Sequence, residues 1–104
     1  MYNNVVVIGN VIQKPKLFET NNGYKMGSMI VRVKRSYRNA SGEFDEDDFE
    51  VILWKNIADE CIKNVPTNSL VVVSGRLQAI NYNKDTKTYY KANIVAERVS
   101  IVNS

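Results

Sequence analysis

The run Leu70-Val71-Val72-Val73-Ser74-Gly75-Arg76-Leu77-Gln78-Ala79-Ile80-Asn81-Tyr82 constrains this chain more than any other segment. It is too rich in β-branched residues and too long to be a loop, and it reads as a strand. A glycine stands inside it, a tyrosine ends it, and a polar turn with two lysines, Asn83-Lys84-Asp85-Thr86-Lys87, follows. Such a strand can bury one face at its start and offer a flat ring to a partner at its end. An aromatic face beside lysines is a surface on which a nucleic-acid base stacks.

The other segments tell which sheet this strand joins. Asn4 to Val11 is a first strand, apolar on both faces through Val5-Val6-Val7-Ile8, which implies cover on both, one of them from a second subunit. Pro15 is expected to end its ladder, and Asn21-Asn22-Gly23 marks a turn. Met26 to Tyr37 alternates with period two: Met29, Val31 and Val33 share one face, Arg32 and Lys34 the other. Asn39-Ala40-Ser41-Gly42 turns the chain, an acidic run follows, and Asp48 to Trp54 is the third strand. Ile57, Ala58, Cys61, Ile62 and Val65 then form a helical apolar stripe, with Asn56 as the expected cap and Pro66 as the stop. Cys61 is a core residue on that stripe. The opening run is the fourth strand, and Tyr89 to Val102 the fifth. Three strands, a short helix and two strands is the layout of the OB-fold, an all-β five-stranded Greek-key barrel with one helix, here a single domain over residues 1–104.

Composition narrows the chemistry. The chain has no histidine and one cysteine, which removes the commonest general base, internal disulfides and Cys/His zinc sites. No enzyme, metal or cofactor is expected. No apolar run approaches the ~20 residues of a membrane helix, and no membrane association is expected. The net charge of +3 hides a segregation: six of the eleven acidic residues fall in Glu43, Asp45, Glu46, Asp47, Asp48 and Glu50, a stretch free of basic residues. The remainder carries fourteen basic against five acidic side chains. A basic body with one acidic segment suits a polyanionic partner. The acidic run lacks the alternating spacing of a calcium loop. It reads as a solvated hairpin that also repels such a partner locally and steers its path.

Over nearly its whole length the chain resembles the bacterial and phage single-stranded DNA-binding proteins. The resemblance rests on Asn4 with Ile8-Gly9-Asn10-Val11, on Pro15, Leu17, Thr20 and Gly23, and on Tyr37, Ser41-Gly42, Asp48-Phe49 and Trp54. It continues through Gly75-Arg76-Leu77 with Tyr82, and Tyr90 with Ile94-Val95-Ala96-Glu97. It implies an OB-fold that assembles as a homotetramer, or in some relatives a dimer, and binds single-stranded DNA by base stacking and phosphate contacts. By motif position the stacking aromatics are Tyr37, Phe49, Trp54 and Tyr82.

Three departures matter. The family places its second and third stacking aromatics six residues apart, whereas Phe49 and Trp54 are five apart. An odd spacing sends them to opposite faces of a regular strand. Phe49 then joins Val51 and Leu53 on the core face, and reaches the DNA side only through a β-bulge. Lys14 and Lys16 flank Pro15 where relatives carry acids, and Gln78 and Ile80 stand where relatives often carry arginines. The chain ends at Asn103-Ser104 without the Gly/Pro/Gln-rich linker and acidic tip of the chromosomal relatives, so tail-mediated replication or repair partners are not expected.

The expected function is sequence-tolerant binding of single-stranded DNA during replication, recombination or repair, in the bacterial cytoplasm at the nucleoid or from a phage or plasmid. Arg32, Lys34, Arg35, Arg38, Lys55, Arg76, Lys84, Lys87 and Lys91 are the expected phosphate contacts. The alternative is an OB-fold protein-interaction subunit of a primosome-type assembly with secondary nucleic-acid binding.

Overall fold

The computed structural model describes residues 1–23 and 25–102; Tyr24, and the chain end at Asn103-Ser104 to which the tail expectation refers, lie outside them. The elements run β1 (Val5–Glu19), β2 (Lys25–Arg38), β3 (Phe44–Trp54), α1 (Lys55–Asn64), β4 (Leu70–Ala79), β5 (Tyr82–Lys84), β6 (Lys87–Tyr89) and β7 (Ala92–Ile101). Five of the strands close a barrel in the order β1-β2-β3-β7-β4, while β5 and β6 form a separate two-stranded hairpin. Every pairing is antiparallel except β3 with β7, which meet in parallel at Val51–Ile94 and Ile52–Val95. This is the OB-fold, with its helix between the third and fourth barrel strands.

The alternating residues of each strand build the interior. Val11, Met29, Val31, Val51, Leu53, Val71, Val73, Ile94 and Ala96 are buried, and Ala58, Cys61 and Val65 join them from α1 and its C-terminal edge. The helix sits close to the sheet because Gly27 leaves room: a Cβ there would lie 2.9 Å from Ala58 Cβ. Cys61 is 3 % exposed, and burial pushes its thiol up to about 11. It borders a hollow of about 300 Å³ with Glu60, Asn64, Val65, Val99 and Ile101. A buried thiol held protonated reacts slowly. At pH 8 a thiol-specific chromogenic reagent is therefore expected to label the native chain far more slowly than the urea-unfolded one; equal rates would show that Cys61 is accessible.

Several local expectations are corrected. Pro15 does not end the first ladder. β1 runs on to Glu19, and the proline falls where its pairing with β2 slips, between Gln13 and Lys16. A missing N–H costs little at such an irregularity. The helix starts at Lys55, one residue before the expected cap. Trp54 takes the N-cap position in extended backbone without a side-chain capping bond. The fourth strand stops at Ala79, and Tyr82 and Tyr89 instead belong to the β5–β6 hairpin. Its tip is only Asp85-Thr86, with φ of 52° and 63°, the two left-handed central residues of a tight hairpin turn. The third strand starts before Asp48: β3 begins at Phe44, so Asp45 to Asp48 are strand residues of the β2–β3 hairpin, facing the basic stretch of β2.

Candidate nucleic-acid interface

The β2–β3 ladder fixes which side chains share the barrel's outer face. From Met26–Trp54 through Ser28–Ile52, Ile30–Glu50 and Arg32–Asp48 to Lys34–Glu46 the register is uninterrupted. Alternation therefore sets Trp54, Ile52, Glu50 and Asp48 outward with Met26, Ser28, Ile30 and Arg32. Phe49, Val51 and Leu53 share the other face with Val31, Met29 and Gly27; Val51 and Leu53 are buried there, whereas Phe49, nearer the free end of the ladder, is 37 % exposed and stays outside the core cluster. No bulge shifts Phe49 across, so it and Trp54 lie on opposite faces, as their odd spacing predicts. The position six residues before Trp54, on its own face, is occupied by Asp48.

The outer face continues across the barrel. Ile52 pairs with Val95 of β7, and Val95 with Arg76 of β4. Ile52 and Val95 are buried, whereas Trp54 is 46 % exposed and Arg76 is exposed. An indole thus stands at the edge of a small apolar floor, with a guanidinium on the far side. Neither Lys55 nor Arg76 forms an ion pair among the described residues.

The hairpin adds a second aromatic group. Tyr82 and Tyr89 are cross-strand partners whose rings stack at 5.1 Å with an interplanar angle of 12°. Lys91 Nζ lies 5.4 Å from the Tyr82 ring centre, and Lys87 Nζ 5.5 Å from that of Tyr89. The Thr88 hydroxyl donates to Asn83 Oδ1 at 2.8 Å and ties the two short strands together. Its place at the start of the expected fifth strand leaves Tyr89 out of the expected site, whereas the structure sets it in the hairpin. The signal was present: Tyr82 and Tyr89 stand symmetrically about Asp85-Thr86.

The far end of the β2–β3 ladder projects as an arm whose cations are already engaged. Arg32 donates from Nε and Nη2 to both oxygens of Asp48, at 2.8 and 3.0 Å. Arg35 grips Asp47 in the same forked way, at 3.0 and 2.8 Å, with Asp45 3.6 Å away. These hydrogen bonds hold the Asp47 and Asp48 carboxyls below the usual carboxylate range. Arg38 donates to the Gly42 carbonyl and lies 4.6 Å from the centre of the Phe44 ring, over which Lys34 also sits, at 5.7 Å. Asn39 shapes the arm's turn, its Oδ1 accepting from the Ser41 and Glu43 backbone N–H groups. Tyr37 remains 64 % exposed there. The structure thus groups Trp54 with Arg76 on one face and Tyr82 with Lys87 and Lys91 on the hairpin, and it sets Arg32 and Arg35 apart as ion-paired residues. Among the described residues no cluster of His, Cys, Asp and Glu could hold a metal ion, and no helix is long and apolar enough to cross a membrane.

Comparison with known proteins bears on the family and the fold. Residues 2–102 match the model of the single-strand binding protein family. A single-stranded DNA-binding protein 1 of Streptococcus pyogenes is 29 % identical over the whole chain, which spans 79 % of that relative. A single-stranded DNA-binding protein 2 of Staphylococcus aureus is 34 % identical over 98 % of the chain and 73 % of its own length. Two solved structures share the fold: a small single-stranded DNA-binding protein from Streptomyces coelicolor (TM-score 0.77, 19 % identity, 98 % of this chain and 96 % of that one) and a Plasmodium falciparum SSB in complex with ssDNA (TM-score 0.80, 18 % identity, 99 % and 96 %). A family match across almost every residue, carried on the barrel that the sequence layout calls for, makes this chain a member of the single-strand binding protein family.

Proposed function

We propose that this chain binds single-stranded DNA with little sequence preference and without catalysis, keeping it extended during replication, recombination or repair. The observation that carries this reading is the exposed Trp54 ring on an outer face that continues through Ile52 and Val95 to Arg76, which has no ion-pair partner among the described residues, in a chain of this family. Bases stack on Trp54, Tyr82 and Tyr37, because every base has a π-face and stacking tolerates any sequence. Lys55, Arg76, Lys84, Lys87 and Lys91 contact phosphates, and Lys34 and Arg38 do so beside Tyr37. Phe49, on the opposite face of β3 and 37 % exposed, lies off this surface. The exposed Val6 and Ile8, on the outer face of β1, support assembly of several copies, a tetramer before a dimer. The same chemistry fits a bacterial nucleoid and a phage or plasmid origin equally.

Trp54 is the only tryptophan, so it reports directly. Its fluorescence is expected to fall on titration with oligothymidine, with little response to duplex DNA. Unchanged fluorescence while anisotropy of a labelled oligonucleotide shows binding would remove Trp54 from the interface. No binding in either assay would remove the function.

A further inference from the structure

Arg32 and Arg35 are the two arginines of β2 nearest the barrel, and both are occupied by carboxylates of the neighbouring strand. Each guanidinium makes a two-pronged contact, with all four hydrogen bonds between 2.8 and 3.0 Å. A carboxylate held this way satisfies the same donors that would fork onto a phosphate. The pairs are exposed, with side chains 37–42 % accessible, so they contribute little to folding stability and remain open to exchange with an anion from solution. Their placement is not general to the surface. Among the described residues the salt bridges all lie between β2 and β3, while Lys55 at the start of α1 and Arg76 on β4 have none. Arg32 and Asp48 moreover share the outer face with Trp54, so a strand stacked on Trp54 and led toward the arm meets this pair first; Arg35 and Asp47 stand on the other face of the two-stranded arm, where a strand that wraps around the arm meets them.

We propose that Asp45, Asp47 and Asp48 compete with the DNA backbone for Arg32 and Arg35, and so set where the phosphate-binding surface ends. This rests on the single-stranded DNA reading above and adds a limit to it. The barrel face and the hairpin bind the strand, and the arm joins only where phosphates displace the carboxylates. Asp47 and Asp48 are the determining residues, since each holds one guanidinium by both of its oxygens. A chain with these carboxylates neutralised makes more phosphate contacts along the same strand.

The test is the salt dependence of oligothymidine affinity in four proteins: the parent, Asp47→Asn/Asp48→Asn, the same with Arg32→Gln/Arg35→Gln added, and Asp59→Asn/Glu60→Gln on α1. The last removes the same charge away from the arm, and thermal melting verifies that each variant folds. Two freed arginines are expected to steepen the slope of log affinity against log salt by about 1.4, at 0.7 per phosphate on a single strand, and to tighten binding on the order of tenfold at low salt. The quadruple variant returns to the parental slope, and the helix variant keeps it. A parental slope in Asp47→Asn/Asp48→Asn, or a steeper slope that survives loss of both arginines or appears equally in the helix variant, overturns the proposal. A parent that does not bind oligothymidine overturns the function itself, and that outcome is read before any variant is compared.

Discussion

Gly75→Ala is expected to cost about 3 kcal/mol of unfolding free energy or more, at the upper end of what overpacking a core does. A Cβ at this position would fall 2.0 Å from the Val95 carbonyl oxygen, 2.9 Å from its carbon and 3.1 Å from Ala96 Cα. All three are backbone atoms of β7, so no side chain can rotate out of the way. The strain falls where the β4–β7 register already shifts, between Ser74 and Gly75, and that seam is one of the two, with β1–β4, that hold β4 in the barrel. For a chain of this size each kcal/mol lowers the melting temperature by roughly 4–8 °C, which puts the expected drop at ~12 °C or more. Gly42→Ala is the contrasting control. Nothing lies within 4 Å of its Cβ position, and only its φ of +81° opposes the change, a cost of about 1 kcal/mol. Melting curves of the two variants decide the point, and a Gly75→Ala protein as stable as Gly42→Ala would mean that β7 does not approach β4 so closely.

Trp54→Ala and Tyr82→Ala are each expected to weaken oligothymidine binding by about 1–3 kcal/mol, roughly 5- to 150-fold. Trp54 is half exposed outside the core cluster, so its removal takes away a stacking surface and leaves the barrel packing alone. Tyr82→Ala additionally releases Tyr89 from its stack, and the hairpin loses its preformed pair of rings. Phe49→Ala separates the two faces of β3. On the face of Val51 and Leu53 but 37 % exposed and outside the core cluster, it is expected to lower the melting temperature only slightly while the folded protein keeps near-parental affinity. Anisotropy titrations beside melting curves measure both quantities. A Phe49→Ala protein that is fully stable yet binds as weakly as Trp54→Ala would place the DNA on the other side of the sheet.

The parity of Phe49 and Trp54 shows how far local pattern reaches. Strand side chains alternate with period two whatever the strand pairs with, so five residues of separation were enough to put them on opposite faces. The core stripe of α1 and the inward set of Met29, Val31, Val71 and Val73 were readable for the same reason, as was the strand–helix order that leads to the barrel. The arm was not readable in this way. Arg32 and Arg35 look like free cations until the β2–β3 register brings Asp48 and Asp47 to them. Likewise Tyr89 counts as an ordinary strand residue until β4 stops at Ala79 and a separate hairpin folds it onto Tyr82.

What the sequence by itself determined was therefore the outward face of the tryptophan, through alternation along one strand, and the fold class, through the order of strands and helix, while the resemblance of its motif residues along the whole chain pointed to the family. Tertiary structure alone decided which cations remain available and which aromatics work as a pair. Both depend on contacts between strands, and the strength of an arginine's claim on a phosphate depends on whether a carboxylate within 3 Å already holds it.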